Sequence, residues 1–228
     1  MVARVCYLAA LMLLPTAPAP GQVMAEDFSN GLAEWWVEGG ERAWIEDGRF
    51  HLKAEGRVAT AWWKRALPAD FVLTLEARVI SSPSEANNIN LFLCYSDPSG
   101  KPLYETREAR QSADYGLYHK LNGYIITFLN DATAEGGRNA DGSTKARVRI
   151  RKNPGFRLLK ETFTGTCRAG VTYRLAVTKK GGTIRFAVDG ETLLEAVDEQ
   201  PWTGGAMGLR TFATYLWWDN IRVEPLPE

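Results

Sequence analysis

The stretch Lys145-Ala146-Arg147-Val148-Arg149-Ile150-Arg151-Lys152-Asn153-Pro154 sets an arginine at every second position. Side chains on a strand alternate between faces, so Arg147, Arg149 and Arg151 share one face and Val148 and Ile150 the other. A core cannot hold three unpaired guanidinium groups. That face must meet water, acidic side chains or an anionic ligand. Arginine can engage a carboxylate through two parallel hydrogen bonds, so Arg149 and Arg151 are candidate contacts for an acidic glycan. The competing reading is a solvated strand whose arginines pair with neighbouring carboxylates.

A second cluster is Tyr118-His119-Lys120-Leu121-Asn122-Gly123-Tyr124. Tyr118 or His119 could serve as a general base, or as an acid toward a leaving oxygen. Together with arginine, these groups meet the needs of β-elimination in a uronic-acid polymer. The carboxylate is neutralised, the proton beside it is removed, and the departing oxygen is protonated. In the plainer reading, Tyr118 and His119 are loop residues with ordinary hydrogen bonds. Asn88 and Asn90 share a strand face and need partners if buried. They, Asn122 and Arg210 are candidate contacts for hydroxyls or carboxylates. Tyr118, Tyr124 and Trp217 offer stacking or hydroxyl contacts. In the pairs Trp62-Trp63 and Trp217-Trp218, alternation sends one ring to each side of a strand, so one of each pair belongs to the core.

Several chemistries are disfavoured. Hydrolysis of a glycoside needs two carboxylates flanking the bond, and no strand carries an alternating acid motif of the glucanase kind. There is no phosphate loop and no nucleophile elbow. With two histidines and no close ligand pair, zinc is not expected. Asp131, Asp141 and Asp219 are candidate calcium ligands, but their spacing matches no dedicated loop, and no cofactor is expected. The chain has 27 basic and 27 acidic residues, which argues against bulk nucleic-acid binding.

The elements that must position these residues read as strands. Asp47-Gly48 and Asp189-Gly190 are tight-hairpin signals between alternating runs. Further strands are expected at Phe71 to Val79, Asn88 to Tyr95, Tyr124 to Leu129, the arginine row, Phe156 to Thr162 and Thr172 to Thr178. Two more close the chain, Met207 to Phe212 and Leu216 to Val223. Only Tyr104 to Ala113 suggests a helical turn or two. Many short strands without covering helices predict an all-β jelly-roll sandwich of two antiparallel sheets.

Arg4, the apolar run Val5 to Leu14 and the Pro/Ala-rich sequence after it have the layout of a secretory signal. Cleavage is expected after Ala25, leaving one domain over 26–228, secreted or periplasmic and with no membrane attachment. Cys6 lies too early to be a lipid anchor. Export would permit a disulfide between Cys94 and Cys167; buried free thiols are the alternative.

Three segments, Asn88-Ile89-Asn90-Leu91-Phe92, Tyr118 to Tyr124, and Arg149-Ile150-Arg151-Lys152-Asn153-Pro154-Gly155-Phe156, resemble in that order the YesU-like family of concanavalin-like domains. Gly208-Leu209-Arg210-Thr211-Phe212 and Trp218-Asp219-Asn220-Ile221-Arg222-Val223 look like the last strands of the wider lectin and glucanase superfamily. The resemblance covers about Glu26 to Pro225. It implies a jelly roll, and through one member an association with pectic rhamnogalacturonan, but no defined activity. The expected function is binding of an acidic, pectin-like polysaccharide or oligosaccharide on the concave sheet. A polysaccharide lyase and a non-catalytic structural protein are the alternatives.

Overall fold

The computed structural model describes residues 22–130 and 136–227. The run Val5 to Leu14, Cys6 and Asp131 lie outside them. The strands in chain order are β1 (Met24–Glu26), β2 (Trp35–Gly39), β3 (Arg42–Glu46), β4 (Arg49–Leu67), β5 (Phe71–Ser81) and β6 (Ile89–Ser96). A 3-10 turn at Arg107–Arg110 and the short helix α1 (Tyr115–Tyr118) follow. Then come β7 (Asn122–Asn130), β8 (Ala146–Asn153), β9 (Arg157–Thr164), β10 (Thr172–Lys180), β11 (Thr183–Val188), β12 (Glu191–Val197) and β13 (Gly205–Pro225).

All the pairings are antiparallel, in two layers. The first layer runs β2-β4-β13-β6-β7-β8-β9. The second runs β3-β4-β13-β5-β10-β11-β12, with β1 beside the end of β13. Both β4 and β13 serve the two layers. The two closing strands expected from sequence are therefore one strand, bent where the register slips between Phe212 and Thr214. Ala213 there takes the left-handed conformation, φ 48°, and a bulge of this kind bends and twists a strand.

One apolar core lies between the layers, with Leu91, Ile126 and Ile150 from the first and Leu75, Val177 and Phe186 from the second. Burying each such side chain is worth about 1.5–3 kcal/mol. Both Asp-Gly pairs have positive φ at the two turn positions, the geometry a two-residue hairpin prefers. Cys94 and Cys167 are buried free thiols rather than a disulfide. Burial pushes the Cys94 thiol up to about 12 and Cys167 also upward, so neither is a ready nucleophile. The expected cleavage point after Ala25 falls inside β1, where Met24 is 2 % exposed and packs in the core. A cut there would remove that contact.

Candidate functional site

Registers across the first layer fix which side chains meet on its outer face. One row is Thr60, Arg210, Asn90, Thr127 and Arg149, on β4, β13, β6, β7 and β8. The adjacent row is Trp62, Gly208, Phe92, Ile125 and Arg151.

The second row is largely covered by the connection between β6 and β7. Leu103, Ala113, Tyr118 and Leu121 of that connection pack on Trp62, Phe92, Tyr95 and Ile125 as a second apolar cluster. Phe92 stacks on Tyr95 at 4.8 Å. Gly123 lets the Tyr95 ring lie close, because a Cβ there would collide with it. A buried ion pair stitches the connection down. Glu38 on β2 accepts from Tyr118 Oη at 2.7 Å, Trp62 Nε1 at 2.9 Å, Trp36 Nε1 at 3.3 Å and Arg110 Nε at 3.2 Å. Arg110 also donates to the Leu103 carbonyl at 2.7 Å and to Thr106. Every strong donor around Glu38 is matched, so this carboxylate is structural.

Beside this covered half, the first row stays open as a cavity of about 600 Å³. Asn88, Asn90, Thr127, Leu129, Arg149, Arg210, Tyr115, Val58 and Phe212 line it. Arg210 is 2 % exposed. Its Nη1 donates to Thr60 Oγ1 at 2.8 Å and to the Ala113 carbonyl at 2.9 Å. Its guanidinium lies over the Tyr115 ring at 4.7 Å. It has no carboxylate partner among the described residues. The other buried cations do: Arg110 with Glu38 at 3.1 Å, Lys152 with Asp198 at 2.7 Å and Lys179 with Asp70 at 3.5 Å. Burial pulls the Arg210 pKa down from its ordinary value, only partly opposed by the more distant Glu38 carboxylate.

Unmatched polar atoms gather around the same cavity. Asn90 Oδ1, Thr127 Oγ1 and Arg149 Nε are buried without hydrogen-bond partners, as is the neighbouring Arg151 Nε. Asn90 Nδ2 donates to Asn88 Oδ1 at 2.9 Å, which fixes the orientation of both amides. Buried polar groups are normally paired, so this concentration marks a place where a ligand can supply the missing partners.

The arginine row divides. Arg147 is held by Glu161 of β9, with Nε to Oε2 at 2.5 Å, so the paired-strand reading describes it. Arg149 reaches the same carboxylate only at 3.9 Å and lines the cavity. Arg151 donates to the Phe156 carbonyl at 2.8 Å and lies 4.0 Å over that ring, next to the cavity but engaged.

The remaining candidates lie elsewhere. Tyr118 is fully buried on Glu38, and burial and that carboxylate drive its pKa upward; it is a structural donor rather than a base. His119 stacks on Phe156 at 3.9 Å and edges Tyr115 at 4.7 Å. Its pKa is lowered by burial, then by Arg210 and Arg151, and it does not line the cavity. Asn122 donates to Ser96 Oγ at 3.1 Å at the far end of β7. Tyr124 points to the opposite face, where its hydroxyl donates to Asp198 at 2.7 Å. Trp217 lies past the bend of β13, on the outer face of the second layer under the Arg49 guanidinium at 4.7 Å. Asp141 is occupied by Ser143 and Arg168, and Asp219 lies 3.7 Å from Arg49. No cluster of three metal-ligating side chains occurs among the described residues.

Tyr115 and Thr127 are among the lining residues that sequence reading passed over. Tyr115 stands three residues before Tyr118, and that spacing puts both on one side of a helical turn. Thr127 is found only through its register with Arg149.

A family model described as a domain of unknown function, DUF6250, matches residues 53–221. The chain belongs to the DUF6250 family. This DUF6250 protein is 22% identical over 196 residues to the uncharacterized protein YesU of Bacillus subtilis (strain 168), covering 81% of this chain and 85% of YesU. A solved protein of unknown function with a galectin-like fold, also from Bacillus subtilis, superposes with a TM-score of 0.70 at 21% identity, over 85% of this chain and 90% of that one. A carbohydrate-binding module from Bacillus subtilis, CBM66, superposes with a TM-score of 0.58 at 14% identity, over 85% and 96%. The lectin-type jelly roll expected from sequence is thus the fold of this DUF6250 chain.

Proposed function

We propose that the protein binds an acidic, uronate-containing glycan in the cavity between Arg149 and Arg210. The observation that carries this reading is Arg210: a guanidinium 2 % exposed, facing a cavity, with no carboxylate partner among the described residues. A buried cation without an ion-pair partner is costly, and an incoming carboxylate lowers that cost. Asn88, Asn90 and Thr127 offer amide and hydroxyl groups suited to sugar hydroxyls. The exposed Phe212 offers an aromatic face of the kind sugar rings stack on. The similarity to a carbohydrate-binding module supports the glycan part of the reading. The N-terminal sequence supports export to the place where such polymers are met.

The test is calorimetric titration with polygalacturonate, its methyl ester and a neutral glucan. Binding of the free acid with loss on esterification is expected, because an ester leaves Arg210 uncompensated. Equal binding of acid and ester would refute the carboxylate role. Binding to none of them would favour the non-catalytic structural alternative.

A further inference from the structure

The cavity holds one group that binding alone does not require: the Tyr115 phenol. Its ring lies beneath the Arg210 guanidinium, and the phenol is coupled electrostatically to Arg210, Arg149 and Arg151. The described residues lining the cavity include no Asp, Glu or His. They offer what elimination needs rather than the acid pair that hydrolysis uses.

Resting on the acidic-glycan reading, we propose that the cavity also cleaves a 4-linked uronate polymer by β-elimination, with Tyr115 as the group that moves the proton. Arg149 and Arg210 neutralise the uronate carboxylate, which lets charge developing at C5 spread into it. The Tyr115 phenolate takes the C5 proton. The electron pair of that C–H bond forms the C4–C5 double bond as the C4–O4 bond breaks. The phenol then returns the proton to O4, so Tyr115 ends as it began. No water, oxidant or other co-reactant is consumed. Burial holds the Tyr115 pKa above the ordinary phenol value, against the pull of the three arginines. The reactive phenolate is thus the minor form at neutral pH. Turnover should climb about tenfold per pH unit below that pKa, well into the alkaline range.

The experiment incubates the protein with polygalacturonate and with alginate. Ultraviolet absorbance of the conjugated alkene and product mass are followed, with affinity measured on the same polymers. The expected result is unsaturated fragments, each lighter by one water than a hydrolytic product. Tyr115→Phe should lower their rate by about 100-fold or more while affinity and melting temperature stay unchanged. Three results would overturn the proposal while leaving glycan binding intact. These are bound polymer that stays uncut, saturated fragments, or full turnover by Tyr115→Phe. A protein that binds neither polymer would instead remove the binding reading and this one with it.

Discussion

The outer face of the first layer holds two buried arginines in opposite situations. Arg110 meets Glu38 at 3.1 Å, and that carboxylate is further matched by Tyr118, Trp62 and Trp36. Arg210 is buried to a similar degree, yet its hydrogen bonds go only to a hydroxyl and a carbonyl. The first arrangement closes half the face and clamps a loop onto it. The second leaves charge and hydrogen-bonding capacity unspent beside a cavity. Polar density alone does not separate the two. The completeness of pairing does.

The contrast can be broken experimentally. Glu38→Gln should be the most damaging change, because it leaves Arg110 buried without its counter-charge. A loss of about 3–5 kcal/mol is expected for breaking such a pair, read by urea unfolding. A loss below about 1 kcal/mol would mean that the clamp is not fully desolvated.

Arg210→Met should do the reverse. Removing a buried charge that has no ion-pair partner relieves its desolvation cost, which offsets the loss of the donor to Thr60 and the Ala113 carbonyl, so the unfolding midpoint should hold. Affinity for polygalacturonate should fall by about 2 kcal/mol or more, since a buried charged contact is lost. Strong destabilisation without loss of affinity would reverse the assignment of the two arginines.

A finer comparison sits within β8. Arg149→Ala should weaken binding by about 1.5–3 kcal/mol, the range for a hydrogen bond to a charged group. Arg147→Ala should change affinity by less than about 1 kcal/mol, because its guanidinium is held by Glu161. Similar losses in titrations of the two variants would mean that the row acts as one electrostatic field.

The smallest effect concerns acid. The pKa of His119 is depressed by burial and by Arg210 and Arg151, so the unfolded chain takes up this proton first. Stability attributable to His119 is therefore present above its ordinary value of 6.5 and declines as pH falls through its lowered folded value. His119→Gln should flatten the melting temperature over that window. An unchanged slope would place the acid sensitivity at His51, which is also depressed by burial.

The strand frame was legible because alternation and turn chemistry are local. Val148 and Ile150 are fully buried while Arg149 and Arg151 face out, as the period of two requires. Asn88, Asn90, Arg149 and Arg210 do meet at one cavity. Other placements needed long-range information. Glu161 neutralises Arg147 across a β8–β9 pairing whose register slips beside Arg151, and no local pattern marks that slip. Tyr124 lies in a run apolar on both faces, so its direction could not be read. Trp217 follows the bend at Ala213, which moves it to the other layer. Tyr118 reads as a free base because Glu38, eighty residues earlier, carries no sign in the sequence that it will sit there.

The sharing of β4 and β13 between the layers has a temporal consequence. Gly205–Pro225 supplies the neighbour that both layers lack until this segment has been made: it joins β4 to β6 in one and β4 to β5 in the other. A nascent chain still missing this segment can form hairpins but cannot close either sheet. Such distant pairing makes folding slow. The domain therefore stays loose until β13 is in place, a state in which chaperones can still handle it as a thread.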